Sequence, residues 1–240
     1  MRTAVVIPVY NEQSFIKACL EALSRQTLMP DTVLIVNNNC TDDTLSIALQ
    51  YPFVTVINET RQGICAATKK GLDTAAEHYD IILRCDADCI PPPTWVERTM
   101  QRFNDKDIQV LTGPGEFYDL AGVKKWFAEL CYMKMYFWCV GAALHQKPVF
   151  GSNFALRASI WKRISNATHL DRQDIHDDMD MSYHLIAHSD ITYDPSNIMP
   201  ISARPFASLR SLLKRYPIGM RSIILHWPAQ TPWRLRTVNK

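Results

Sequence analysis

The chain opens on a short apolar run at residues 3–9, breaks into Tyr10-Asn11-Glu12, and then places Phe15, Ile16, Cys19, Leu20 and Leu23 at helical spacing. The pattern predicts strand, loop, helix. Residues 32–36 predict a second buried strand, residues 37–43 a polar loop, and residues 44–50 a helix whose start is marked by Thr41, Asp42 and Asp43. The unit recurs with a strand at 53–57, a helix at 63–78 and a fourth strand at 81–84, which runs out into Asp86-Ala87-Asp88. Strands alternating with helices at this spacing connect by right-handed crossovers, so the fold class is α/β: a Rossmann-like, mostly parallel sheet flanked by helices.

Beyond Pro91-Pro92-Pro93 the pattern loosens into a helix at 94–103, a strand at 108–112, and a long helix rich in aromatic residues and Met at 119–145. A strand or turn follows at 149–156. Residues 176–188 are helical in their later part, 191–194 extended, and 206–225 form one or two helices broken near Pro217-Ile218-Gly219. There is no internal repeat, and neither a GxGxxG dinucleotide fingerprint nor a GxxxxGK[ST] phosphate loop occurs.

A length of 240 residues suits one domain. With 47% hydrophobic and 21% charged residues the chain can bury a core, which excludes disorder and fibre. The longest aromatic-rich apolar stretch, 127–144, is interrupted by Glu129 and Lys134, and the N-terminus shows no signal-peptide pattern, so a cytoplasmic protein without a membrane span is expected. Seven scattered cysteines suit reduced thiols better than a disulfide framework; Cys85 and Cys89, the nearest pair, lack a second pair at zinc-finger spacing.

Charge changes the picture of the C-terminal part. The net charge of +2 divides unevenly: residues 195–240 carry eight Lys or Arg and no acid, whereas the first 194 carry 18 basic against 24 acidic groups. Because these charges interleave with Leu209, Leu212, Leu213, Ile223, Ile224, Leu225, Trp227 and Trp233, an anionic membrane surface suits the segment better than nucleic acid, which is not expected as a partner. A basic amphipathic helix packed on its own domain is the competing reading. Residues 201–240 are therefore set apart as a basic, helical C-terminal extension.

Chemistry belongs at the carboxyl ends of the strands, where an open α/β sheet binds its ligands. Tyr10, Asn11 and Glu12 follow the first strand, Asn37 to Asp43 the second, Arg61-Gln62-Gly63 the third, and Asp86 and Asp88 the fourth. In an extended segment two carboxylates two apart point to one side, which suits a hard cation such as Mn²⁺ or Mg²⁺. Asp-x-Asp alone is a weak signal, since Asp is common in turns.

The ordered set Val6-Ile7-Pro8-Val9-Tyr10-Asn11-Glu12, Asn38-Asn39-Cys40-Thr41-Asp42-Asp43-Thr44, Arg61-Gln62-Gly63, Asp86-Ala87-Asp88, Gly151-Ser152-Asn153 and Asp177-Asp178-Met179-Asp180 resembles the motifs of family 2 inverting glycosyltransferases. The resemblance runs from residue 4 to about 195 and implies the A-type glycosyltransferase fold. A single domain over 1–200 would then comprise a nucleotide-sugar-binding half (1–105) and an acceptor-binding half (106–200). By the same resemblance Pro8, Tyr10 and Glu12 line the base and ribose of a nucleoside diphosphate sugar, Asn37 and Asn39 stand where the base edge is read, and Arg61 and Gly63 lie near the nucleotide. Asp86 would sit near ribose or sugar, Asp88 would hold Mn²⁺ or Mg²⁺, Asn153 would hydrogen-bond donor or acceptor, and Asp178 would be the general base toward a glycan or lipid-linked acceptor. The chain departs from the family pattern at Asn37 for Asp, Cys40 for Ser and Asp177 for Glu.

Arg204, after the last predicted strand, could reach the diphosphate as a charge clamp. Asp177, Asp178 and Asp180 also suit an innocent role as negative charges at a helix start. His184 and His188 share a helix face but show no third metal ligand, so surface or core histidines are the favoured reading. The stripe Trp126, Phe127, Leu130, Met133, Phe137 and Val140 suits a core face, while Tyr132, Met135, Tyr136 and Trp138 widen the band enough to suggest that part of this helix meets a membrane carrying the acceptor. Such a protein would lie on the inner face of the membrane. A Gln-x-x-Arg-Trp signature of processive polysaccharide synthases is missing. Two other functions compete: a sugar nucleotidyltransferase, and a catalytically degenerate scaffold binding nucleotide-sugar or membrane.

Overall fold

A computed structural model describes the backbone of residues 1–204 and 209–231 and the side chains of residues 1–204 and 217–231. Four strands, β1 (Thr3–Val9), β2 (Thr32–Asn37), β3 (Val54–Asn58) and β4 (Ile81–Arg84), alternate with α1 (Ile16–Ser24), α2 (Thr44–Ala48) and α3 (Ile64–His78), as the hydrophobic pattern predicts. Every residue of β1 is buried, because it lies between β2 and β4 and pairs in parallel with both. Helix α3 passes so close over β1 and β2 that a Cβ at Gly71 would run into Val6 and Val36; only glycine lets the two layers approach this far.

The second half supplies α4 (Trp95–Arg102), β5 (Val110–Thr112), β6 (Gly115–Phe117), α5 (Gly122–Ala128), α6 (Met135–Leu144), β7 (Phe154–Arg157), α7 (Ala158–Ile164), α8 (Asp177–Ile186), β8 (Ile191–Tyr193), β9 (Met199–Ile201) and α9 (Leu209–His226). The main sheet has the order β3-β2-β1-β4-β7-β5-β8. It is mostly parallel, with β7 running antiparallel to both β4 and β5. Strands β6 and β9 pair separately in parallel. One core, with Val6, Leu34, Leu72, Trp161 and Tyr183, fills one face of the sheet, and a second, with Ile7, Leu20, Ile35, Trp95 and Phe117, fills the other.

Several expectations are refined. The strand or turn expected over 149–156 is both, a tight turn at 150–153 closed by the bridge between Phe150 and Asn153 and then β7 from Phe154. Helix α9 runs through Pro217 instead of breaking there. The boundary at 200/201 falls inside β9. Among the described residues no helix is long and apolar enough to cross a membrane. The expected helix start at Phe206, and Trp233, lie outside the described residues.

The long aromatic helix forms, but its buried stripe is shifted. Trp126 and Phe127 are exposed, and the buried positions are Ala128, Met133, Phe137, Val140 and Leu144. The step of five from Ala128 to Met133 is made by a π-helical segment, Glu129–Lys134, between α5 and α6. A wider turn moves every earlier residue round the helix, so a 3.6-residue reading assigns the wrong face to Trp126 and Phe127.

Candidate active site

From β1 the chain winds outward through β2 to β3 and then crosses back to place β4 on the other side of β1. Strand order reverses between β1 and β4, and the crevice outside their carboxyl ends is where such a sheet receives a ligand.

The loops after β1, β2 and β3 form one braced wall. Asn11, in the left-handed region at φ 55°, accepts the Thr41 N–H at 2.8 Å on its side-chain oxygen. Buried Asn38 organises the next loop: its amide donates to the carbonyls of Glu59 and Arg61 at 2.9 and 2.7 Å and accepts the Gly63 N–H at 2.7 Å. Gly63 sits at φ 132°, ψ 148°, a conformation that favours glycine, and starts α3. Asn37 is occupied by its surroundings, donating to Asn58 at 2.9 Å and accepting the Cys40 N–H at 2.9 Å. Asn39 is exposed and in the left-handed region, with its amide nitrogen on Thr60 O and Gln62 Oε1. Tyr10 projects from the end of β1, 51% exposed, whereas Pro8 is buried within the strand.

Carboxylates converge at the reversal point. Asp88 Oδ2 and Glu12 Oε2 each lie 2.7 Å from the Arg204 guanidinium, whose flat face covers the Phe15 ring at 4.7 Å. Asp86 Oδ1 pairs with Arg84 at 2.9 Å, and Ser152 donates its hydroxyl to Asp86 Oδ2 at 2.5 Å. Burial, then the charge of Asp86, pushes the Asp88 carboxyl up to about 6; Arg204 pulls it down and Glu12 pushes it up. Asp86, Asp88 and Cys89 present ligand atoms within 4.8 Å of one another. Burial drives the Cys89 thiol well above its ordinary range, so the two carboxylates are the usable donors, a hard oxygen pair that fits Mn²⁺ or Mg²⁺.

Arg84 connects this group to α8. It is buried, 2% exposed, and the same Nη2 that meets Asp86 lies 3.4 Å from Asp177 Oδ2, which also accepts the Thr68 hydroxyl at 2.8 Å. Burial disfavours its charge, but Asp86, Asp177 and Asp178 outweigh that and hold it protonated. Next in α8, half-buried Asp178 accepts the Gly151 N–H at 3.1 Å on Oδ2, 3.0 Å from the Tyr136 hydroxyl, which also reaches Val149 O at 2.8 Å. Burial, then the neighbouring Asp177 charge, raises the Asp178 carboxyl above its usual range, against the opposing pull of His176, Gly151 and Tyr136. Gly151 has no room for a side chain: a Cβ would stand 2.9 Å from Arg84 Nη1 and 3.3 Å from Asp178 Oδ2.

Glu12, Arg204 and Asp88 thus form one ion-paired group and Asp86, Arg84 and Asp177 a second, with the Asp86 and Asp88 carboxylates within 4.8 Å of each other and Asp178 beside Asp177 on α8. Arg61 stands apart, spread between Glu59 and Asp171 at 3.3 and 2.8 Å. Asn153 is 1% exposed, accepts Trp95 Nε1–H at 3.0 Å and donates to Asn197 O at 2.6 Å, so its amide braces the fold, while Ser152 and the Gly151 N–H of the same turn meet Asp86 and Asp178. Arg84, Ser152 and Tyr136 carry roles that sequence reasoning missed. Only Arg84 left a signal, a cation ending an otherwise apolar strand.

The model of the family described as Glycosyl transferase family 2 matches residues 4–159. Glycosyltransferase AglE of Haloferax volcanii is 32% identical over 121 residues, which take in 48% of this chain and 39% of that one. In AglE and in the uncharacterized glycosyltransferase YibD of Escherichia coli the match spans two fifths of the relative's length or less. Among solved structures, S. aureus TarS is similar with a TM-score of 0.69 at 16% identity, covering 100% of this chain and 42% of that one, and it has been solved with UDP and with UDP-GlcNAc. Glucosyl-3-phosphoglycerate synthase of Mycobacterium tuberculosis, solved with Mn²⁺, UDP and glucosyl-3-phosphoglycerate, gives 0.61 at 17% identity, covering 93% and 79%. The fold is the A-type glycosyltransferase fold that these neighbours share. With its family model matched across the sheet from β1 to β7, the chain belongs to glycosyl transferase family 2.

Proposed function

We propose that the protein transfers a sugar, with inversion, from a nucleoside diphosphate sugar to an acceptor hydroxyl. The observation that carries this is the carboxylate pair Asp86 and Asp88 at the β1/β4 reversal, tied through buried Arg84 to the α8 segment that bears Asp178. UDP is the nucleotide that both structural neighbours hold, which favours a uridine donor.

Asp86 and Asp88 would hold the Mn²⁺ or Mg²⁺ ion, which when bound offsets charge on the diphosphate. Arg204, already placed between Glu12 and Asp88, is the cation that can turn to a diphosphate oxygen. Asp178 takes the proton of the acceptor hydroxyl as that oxygen bonds to the anomeric carbon and the bond to the diphosphate breaks, its electron pair leaving with the diphosphate. A carboxyl raised by burial is a better base than an exposed one, provided the pH leaves it ionised. Gly151 N–H and Tyr136 fix its direction.

A lipid-linked or glycan acceptor is favoured by the helix that carries Tyr136 toward Asp178. Its outer side shows Trp126, Phe127 and Trp138 at 60, 59 and 70% exposure, an aromatic face of the kind that settles at a membrane interface. The test is calorimetric donor binding paired with turnover. Asp178→Asn should keep donor affinity and lose about 10²- to 10⁴-fold in rate, and Asp88→Asn should lose metal-dependent donor binding. Turnover by Asp178→Asn at the wild-type rate would overturn the assignment of the base.

A further inference from the structure

His169, Asp180, His184 and His226 meet on the side of α8 that faces away from Asp178, since residues two apart on a helix point roughly 200° from one another. Three separate pieces of chain deliver them: the turn before α8, α8 itself with Asp180 and His184 one turn apart, and the last residue of α9. One ligand atom from each lies within 4.8 Å of the others. Asp180 Oδ1 stands 2.9 Å from His169 Nδ1, 3.0 Å from His226 Nε2 and 3.7 Å from His184 Nε2, and the His169 and His184 nitrogens are 3.4 Å apart. The three rings form a nearly equilateral triangle, with centroids separated by 5.2, 5.3 and 5.1 Å.

Four of the six ligand-to-ligand spacings suit a metal-centred tetrahedron, and the other two lie within 4.8 Å. Bonds of about 2.0 Å from zinc to nitrogen or oxygen give edges of about 3.3 Å, and the four separations above fall on both sides of that value. The surrounding bonds aim the ligand atoms inward. Asp180 Oδ2 accepts the His169 backbone N–H at 2.8 Å, which leaves Oδ1 facing the rings. Gln230 donates its amide N–H to Tyr183 O, so its oxygen, 2.8 Å from His226 Nδ1, accepts from that nitrogen. With Nδ1 engaged by Gln230, His226 turns Nε2 to a carboxylate oxygen 3.0 Å away, which aims that nitrogen at the centre of the cluster. Asp180 and His226 are buried, at 0 and 3% side-chain exposure, while His169, at 40%, leaves a way in.

We infer that His169, Asp180, His184 and His226 bind a Zn²⁺ ion that fastens α9 and the turn at His169 to the back of α8. Three imidazoles and one carboxylate suit zinc over the oxygen-seeking Mn²⁺ and Mg²⁺, and four protein ligands leave no open position for substrate, so the site is structural. It shares no residue with the Asp86 and Asp88 pair and stands whether or not Asp178 is the base.

The test is zinc content of untagged protein by mass spectrometry, followed by replacement of the metal with Co²⁺. About one zinc per chain and the intense visible bands of tetrahedral Co²⁺ are expected. His169→Ala, at the most exposed ligand, should lose both; His188→Ala and Asp88→Asn should keep both. Gln230→Ala should weaken zinc binding about 10- to 100-fold by freeing the His226 ring. Folded wild-type protein with under about a tenth of a zinc per chain and no Co²⁺ bands would overturn the site, as would zinc retained in both His169→Ala and His184→Ala. If a ligand variant fails to fold, the wild-type Co²⁺ spectrum still decides.

Discussion

Replacing Arg84 with Met tests the central link of the site. The side chain keeps most of its length and its apolar stem but loses the guanidinium that stands 2.9 Å from Asp86 and 3.4 Å from Asp177. The two partners differ: the Asp86 side chain is 32% exposed and can be solvated by water, whereas Asp177 is 10% exposed and, among the described residues, would keep only the Thr68 hydroxyl at 2.8 Å. Most of the cost therefore falls on Asp177. Removing one partner of a buried ion pair costs about 3–5 kcal/mol, and in a chain of this size each kcal/mol lowers Tm by about 2–4 °C. A fall of roughly 6–20 °C is expected by calorimetry or urea unfolding. Asp177→Asn in the Arg84→Met background should then cost less than in the wild type, because the orphaned charge has been removed. A coupling of about 1–3 kcal/mol is expected for residues in one network. A loss below about 1 kcal/mol for Arg84→Met, or strict additivity of the double variant, would refute the view that Arg84 holds the strand end to α8.

Asp88→Asn should stabilise protein freed of divalent cation. A carboxyl raised to about 6 from an ordinary value of 3.8 weakens the fold once it ionises, so the gain is nil below pH 4, grows through pH 6 and reaches at most about 3 kcal/mol above it, as a Tm series against pH will show. Tyr136→Phe should shift the acid limb of the pH–rate profile upward, because the hydrogen bond from Tyr136 is one of the contacts that hold the raised Asp178 carboxyl down. Gly151→Ala should lower the transfer rate by about 10²-fold with a smaller stability loss, because a methyl 2.9 Å from an immovable guanidinium displaces the Asp178 oxygen instead; unchanged kinetics would rule this crowding out.

The first half of the fold was legible because each of its elements carries its own period. Strands β1, β2 and β4 are unbroken apolar runs, and α1 and α3 show their buried stripe locally. In the second half β6 and β9 have three residues each, too few for any period, and the π-helical segment upset the register of the longest helix. At the site, Glu12, Asp86 and Asp88 could be placed from strand ends and Arg204 from its position after the last strand, whereas Asp178 rested on the family resemblance. What could not be read was how side chains are spent: Asn153 looks like a ligand group and is a brace, while Ser152 beside it meets Asp86. The histidines show the same limit. His184 and His188 lie at chelating spacing, yet the partners that His184 finds, His169, Asp180 and His226, come from elements that touch only after folding.

Strand β7 also dictates how the chain can be made. The parallel strands β1 to β4 are complete by residue 84, but the far edge of β4 is covered only when residues 154–157 arrive to pair with it. A ribosome that has released the first hundred residues therefore carries a sheet whose last strand, Ile81-Ile82-Leu83-Arg84, still presents open backbone groups and apolar side chains. Buried Arg84 at its tip finds Asp177 only some 90 residues later, when α8 emerges. Contacts this far apart form slowly, and an unpaired apolar edge invites association with a neighbouring chain during the wait. Truncation before β7 would make that waiting state permanent, so the β1–β4 half cut out by itself should aggregate, although its local sequence is the most regular part of the protein.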